Sequence, residues 1–320
     1  MIKNFNDMCV NNDYEIDFKT MDIKSFFTEV QLKFLIPRVK YVLTRFKKHN
    51  HTNFVSVPKW KGSKLKSISG FSNSSKFINL SLNMIFDIIV FACENALFKI
   101  GSFILKQHNG LPQGAPTSPP LSCMYVLVDE NRHKLIPRQF NVKYDFVLLL
   151  IRYADDLLRF VATRKLEEEF IKNVDNYVIN ELYEHDIECK NLILVPDDTS
   201  KYLDTDIVLY NNKKNVKIVY HNKNGEIIND DYQMIGRFCN IDDIIHIKTK
   251  LNTFVNVLIR TIDYTTFDFD CLLPVLQIMY ELSLLGYDRK HMLSALTMVN
   301  RSRKSDIWSV CASMVECVFV

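Results

Sequence analysis

Residues 145–163 read DFVLLLIRYADDLLRFVAT, two apolar runs, FVLLLI and LLRFVAT, on either side of RYADD. Apolar runs of this length around a short polar break predict two antiparallel strands joined by a tight turn, with Asp155 and Asp156 at its tip. Paired charges at a hairpin tip destabilise the hairpin unless something uses them, and a plain polar turn is the alternative. Asp-Asp recurs at 197–198, 230–231 and 242–243, but only the first pair has strand-like runs tightly on both sides. Upstream, DFKTMDIKSFF at 17–27 reads as a strand ending near Asp22. Neighbouring strands of one sheet can bring Asp22 to Asp155 and Asp156. Three carboxylates in one place repel each other and are tolerable when cations neutralise them; hard oxygen donors select Mg²⁺ or Mn²⁺ over zinc. Two such ions about 3.5–4 Å apart serve phosphoryl transfer.

The rest of the chain is that of a globular protein, with 320 residues, 48% apolar and 24% charged. Its eight glycines form neither GxGxxG nor GxxxxGK spacing, which excludes Gly-cradled nucleotide loops. The eight cysteines form no CxxC pair, the pattern of a reducing, intracellular protein without structural zinc. The N-terminus is too polar for a signal peptide, and no apolar run approaches the roughly 18 residues of a membrane span. The expectation is a soluble protein with no membrane partner.

Charge is uneven. From Gln31 to Phe86 there is no acidic residue, while eleven Lys and Arg side chains stand there, in a chain whose net charge is +3. A solvated loop is one reading. Phe46, Phe54, Trp60 and Phe71 interleaved with the charges favour the other, a nucleic-acid groove with stacking platforms. The segment at 61–76 reads as a mobile loop, 79–98 and 164–185 as helices, 202–210 and 216–221 as a hairpin around NNKKN, and the chain from Asp242 onward as mostly helical.

NGLPQGAPTSPPLS at 109–122 is a rigid Gly/Pro turn before a helix entered at Ser118 or Ser122. LPQGAPTSPPLS followed about 30 residues later by RYADD resembles motifs B and C of reverse transcriptases, and MDIKSFFTEV at 21–30 resembles their motif A. In that order the three are a specific signature. DIKSFFTEV is similar to the motif A of Penelope-like retroelement reverse transcriptases, relatives of telomerase reverse transcriptase. YLDTDIVLYNNKKNVKIVYHNKN at 202–224 and ELSLLGYDRKHML at 281–293 resemble, more weakly, the segments after the palm and in the thumb of that group.

The resemblance implies an RNA-directed DNA polymerase that extends a DNA primer on an RNA template with dNTPs, using two Mg²⁺ ions. It implies Asp22 and Asp155 as principal metal ligands, with Asp156 and the Ile23 carbonyl beside them. Phe27 matches the aromatic gate beneath the sugar, where a ring leaves no room for a 2′-hydroxyl. Gln113 and Gly114 match residues against the incoming nucleotide, and Lys190 a lysine that protonates pyrophosphate. Arg152 and Tyr153 fall to the primer end, and Lys213, Lys214 and Lys217 to phosphates along a primer-grip hairpin.

The expected architecture is α+β: a polymerase palm over 1–200, an antiparallel sheet backed by helices and carrying the basic 31–86 segment; a primer-grip hairpin and connection over 201–235; and a helical thumb over 236–320. Only 21 residues precede Asp22, where this group carries fingers, and no GIY-YIG endonuclease follows the thumb. An incomplete polypeptide, a second chain supplying the fingers and a remnant with another role all accommodate that. The rival functions are an inactive palm-and-thumb protein that holds nucleic acid, and an RNA-directed RNA polymerase, which Phe27 disfavours.

Overall fold

The computed structural model describes residues 2–60, 65–112, 114–133, 145–182, 192–197, 199–224 and 237–318. Helix α1 (Ile2–Asn11) leads into strand β1 (Glu15–Ile23), the one-turn α2 (Phe26–Glu29) and α3 (Leu32–Asn50). Strands β2 (Phe54–Pro58), β3 (Ile68–Ser69) and β4 (Phe77–Ser81) form a small sheet, followed by α4 (Leu82–Glu94) and a hairpin of β5 (Leu97–Ile100) and β6 (Phe103–Lys106). Then come α5 (Ser118–His133), β7 (Phe146–Tyr153), β8 (Asp156–Thr163), α6 (Glu168–Asn176), which runs into a π-helical turn at Tyr177–Glu181, and β9 (Leu194–Asp197). Strands β10 (Lys201–Tyr202), β11 (Thr205–Tyr210) and β12 (Asn215–Tyr220) make a third sheet. Helices α7 (Ile247–Asp263), α8 (Leu272–Leu284), α9 (Arg289–Ser302) and α10 (Ile307–Val318) follow.

The central sheet has the order β7-β8-β1-β9 with antiparallel pairs throughout. Its middle strands are covered on both faces, which explains why β8 reads as a near-continuous apolar run. Alternate residues Met21, Ile23, Leu157 and Val161 enter one core with α3, α5 and α6. The intervening residues Ile16, Phe18, Leu158, Phe160 and Ala162 enter a second core with α1 and the β11–β12 hairpin. Arg159 is a buried charge on β8, and Asp17 (2.7 Å) and Asp175 (2.8 Å) pair with it.

Two ionic clusters hold the periphery. Arg38 on α3, 6% exposed, forms a two-pronged pair with Asp129 on α5 at 2.7 and 3.2 Å, donates to the Tyr125 carbonyl and lies 4.8 Å from the Tyr125 ring. Glu281 on α8, also buried, accepts from the side-chain amides of Asn222 and Asn224, both at 2.8 Å, and from Arg237 Nε at 2.9 Å. The C-terminal helices enclose a third core around Trp308. They join β12 directly: Thr266 N–H donates to Ile218 O, and the Thr266 and Thr265 hydroxyls accept from the Ile218 and Tyr220 amides.

The mixed, antiparallel α+β architecture is the expected one, but local readings shift. Ser81 caps α4 by accepting from Met84 N, so the helix expected over 79–98 begins at Leu82; FINLS before it pairs with β2, and LFKI after it turns back at Gly101 (φ 59°). The loop expected at 61–76 contains β3 and a fixed turn at Gly70–Ser72, while 61–64 lie outside the described residues. β1 stops at Ile23 because Ser25 adopts φ 54° and starts α2. The helix expected over 164–185 starts at Glu168. The β5–β6 hairpin and β9 are additional strands. All eight β5–β6 residues are exposed, Phe103 at 71%, and Met84, Ile88 and Phe91 of α4 are exposed too. Among the described residues no helix is long and apolar enough to cross a membrane.

Removing one partner of a buried pair leaves the other charged and unsatisfied. Asp129→Ala is therefore expected to lower stability by about 3–5 kcal/mol, read as a lower urea midpoint at unchanged slope.

Candidate active site

Strand register brings the acidic residues together. Asp22, next to last in β1, is the direct cross-strand partner of Asp156, the first residue of β8. Their Cα atoms are therefore about 5 Å apart. The Ile23 amide donates to the Asp155 carbonyl at 2.9 Å. Tyr153 and Asp156 close a two-residue turn of Ala154 and Asp155, with Ala154 in the left-handed region at φ 52°. Asp22 shares its side of β1 with Ile16 and Phe18, the side that faces the β11–β12 hairpin.

The turn is braced by two side chains. Arg152 pairs with Glu130 on α5 and donates to the Ala154 carbonyl at 2.8 Å. Buried Tyr202 directs its hydroxyl to the carbonyls of Ile151 and Asp156 at 3.3 and 3.4 Å; burial and the Asp156 charge push its phenol up to about 12. Arg152 thus supports the turn from within the protein, whereas Tyr153 beside it is 66% exposed.

Burial, then the charges of Asp155 and Asp197, raises the Asp22 carboxyl; burial, then Asp155, Asp22 and Asp197, raises that of Asp156. Asp197 is a fourth member, from an Asp-Asp pair without strand-like runs on both sides. It ends β9 opposite Thr20, whose hydroxyl donates to the Asp197 carbonyl at 2.8 Å, and Thr199 donates to its carboxylate at 3.1 Å. LILVP immediately before the second Asp-Asp is the strand-like signal that marks it. Oxygen donors that raise one another's proton affinity suit a hard divalent cation. Among the described residues, however, no group of three or more Asp, Glu, His or Cys side chains is arranged to hold a metal ion.

The loop after β1 and the Gly/Pro turn are welded together. Val30 O accepts from Gly110 N at 3.0 Å, and Phe27 O from Leu111 N at 2.7 Å. Gly110 has φ 76°, and a Cβ there would stand 2.7 Å from Phe27 O and 2.8 Å from Thr28 Cα. Phe27 is half-buried, its ring 5.8 Å from Phe26. Gly114, at φ 86°, has open space where a Cβ would be. α5 starts at Ser118, whose hydroxyl donates to Pro112 O at 2.6 Å. Gln113 and Lys190 lie outside the described residues. Of the hairpin lysines, Lys214 pairs with Asp13 and Lys217 with Asp270 at 3.0 Å, while Lys213 is exposed and lends its carbonyl to Ile16 N.

A telomerase structure from Candida albicans, in complex with the TWJ fragment of telomeric RNA, aligns over 98% of this chain with a TM-score of 0.54 at 12% identity. The fold is telomerase-like. The chain spans about half the length of that telomerase chain, 49% of it. Two Candida tropicalis telomerase structures, one with the same RNA fragment and one apo, align over 98% of this chain at 14% identity. Their TM-scores of 0.46 and 0.48, over 50% and 49% of those chains, add no weight. No family model and no curated protein matches the sequence.

Two outcomes test this geometry. Gly110→Ala, which meets main chain and a strained φ, is expected to lose on the order of 3 kcal/mol, and Gly114→Ala, in open space, about 1 kcal/mol, by chemical denaturation. Because the Asp156 carboxyl is raised in the fold above its unfolded value, its ionised form opposes folding once pH exceeds the unfolded range, about 4. Without divalent cations, Asp156→Asn is therefore expected to raise the melting temperature at pH 7, a gain that disappears near pH 3, where the carboxyl is neutral in both states.

Proposed function

We propose that this chain is an RNA-directed DNA polymerase that extends a DNA primer on an RNA template with dNTPs. The observation that carries the reading is the cross-strand pairing of Asp22 with Asp156 beside the Asp155 turn, in a telomerase-like fold. An RNA partner is in keeping with the TWJ RNA fragment bound in the Candida albicans structure. The motif A sequence DIKSFFTEV favours the Penelope-like branch.

Asp22, Asp155 and Asp156, with the Ile23 carbonyl, are the groups that would hold Mg²⁺ or Mn²⁺. Bound there, the ions supply Lewis acidity to the primer 3′-hydroxyl and to the departing pyrophosphate. The protein's own part is positioning. Arg152 and Tyr202 fix the turn that presents Asp155 and Asp156. Phe27 sets a ring against C2′ of the incoming sugar, the Gly/Pro turn with Gly114 forms the wall beside its base, and Gln113 is the candidate side chain for the nucleotide. Lys190 is the candidate proton donor to pyrophosphate. Tyr153 contacts the primer end, and the lysines of the β11–β12 hairpin contact primer phosphates, Lys214 and Lys217 by exchanging a carboxylate for a phosphate.

A second reading is an inactive protein that holds nucleic acid, in keeping with the finding that among the described residues no three acidic side chains are arranged to hold a metal ion. Extension of a DNA primer annealed to RNA separates the two. The polymerase reading expects dNTP incorporation, reduced on the order of 10³-fold or more in Asp155→Asn. A folded protein that binds the primed template and extends none would leave the second reading. Phe27→Ala is expected to raise NTP use relative to dNTP about tenfold.

A further inference from the structure

The basic segment after β1 is sorted by the structure into engaged and unengaged charges. Arg38 is consumed by Asp129, and Lys33 and Arg45 lie over the rings of Phe34 and Tyr41. Lys59, Lys66 and Lys76 flank the strands of the β3-β2-β4 sheet, and among the described residues none of them has an acidic partner. The register gathers them. Lys59 N–H donates to Lys76 O at 2.9 Å, and the Ser56–Ile68 pairing runs Lys66 toward the same Pro58 end. Trp60 stands at that end too, 63% exposed.

The other end of β2 carries a second exposed ring. Phe71, 61% exposed, meets Phe54 edge to face at 5.4 Å. Its backbone is anchored on both sides. Gly70 N donates to Phe54 O, Gly70 O accepts from the buried Ser56 hydroxyl, and the Asn79 amide both accepts from Ser72 N and donates to Ser72 O. A large ring held in water by four main-chain and side-chain hydrogen bonds is a prepared platform rather than a collapsed loop. The two rings stand beyond opposite ends of β2, whose five residues span about 13 Å.

We propose that this sheet is a platform for single-stranded nucleic acid, with bases stacking on Trp60 and Phe71 and phosphates neutralised by Lys59, Lys66 and Lys76. Single strands are selected because stacking needs unpaired base faces, and the recognition is sequence-tolerant because every base has one. The inference rests on the nucleic-acid side of the function proposed above and is independent of catalysis.

Fluorescence anisotropy of the full chain with labelled pyrimidine oligonucleotides of about twelve residues, as RNA, as DNA and as a duplex, tests it. Trp60→Ala and Phe71→Ala are each expected to weaken single-strand binding about tenfold while changing duplex binding less than about twofold. Replacing Lys59, Lys66 and Lys76 by Gln is expected to flatten the salt dependence on single strands by about two logarithmic units per decade. The RNA and DNA arms identify which strand is held. Both rings are exposed, so their variants keep the fold, and circular dichroism checks that. Folded Trp60→Ala and Phe71→Ala proteins with wild-type single-strand affinity would overturn the inference. Asp155→Asn is expected to bind single strands as wild type does; if no protein extends a primer yet the ring variants still lose binding, the polymerase reading falls and the platform stands.

Discussion

A slip of one residue between Glu15–Ile23 and Asp156–Thr163 would send Asp22 and Asp156 into opposite layers of the protein. The register is held because both sides of these strands are filled. Met21, Ile23, Leu157 and Val161 lock into the helical core, while Ile16, Phe18, Leu158 and Phe160 lock under α1 and the hairpin. Two acidic side chains are thereby held face to face against their mutual repulsion by apolar packing that extends along the rest of each strand. Burial of hydrocarbon, worth about 25 cal/mol per Å², has ample scope to oppose the strain of one carboxylate pair.

Elsewhere the buried charges are matched. Arg38 meets Asp129, Arg159 meets Asp17 and Asp175, and Glu281 meets Arg237 and two asparagine amides. Against that background the raised carboxyls of Asp22 and Asp156, with Asp155 and Asp197 beside them, bring like charges together. Perturbed acids at the mouth of a fixed turn are where chemistry is expected.

The hairpin with its acidic tip, the upstream strand ending at Asp22, the second hairpin and the helical C-terminal part were legible because each is announced by a pattern of its own length. What escaped was set by context. FINLS and LFKI look like extensions of the α4 helix until Ser81 caps it and Gly101 turns the chain. Arg38 counts as a free charge in the sequence, although Asp129, 91 residues away, removes it from the surface. Asp197 was passed over because its strand, β9, is short, and only pairing to β1 shows which neighbours it faces. Gly110 reads as an ordinary turn glycine until the Phe27 carbonyl is seen beneath it.

On the polymerase reading, that last contact couples two kinds of discrimination. The Phe27 and Val30 carbonyls hold Leu111 and Gly110, so the loop after β1 and the Gly/Pro turn are a single rigid piece, which the polymerase reading sets beneath the sugar and beside the base. On the polymerase reading, a nucleotide with the wrong sugar displaces the same body that aligns its base, and fidelity for sugar and for pairing cannot be tuned separately without loosening the joint between them.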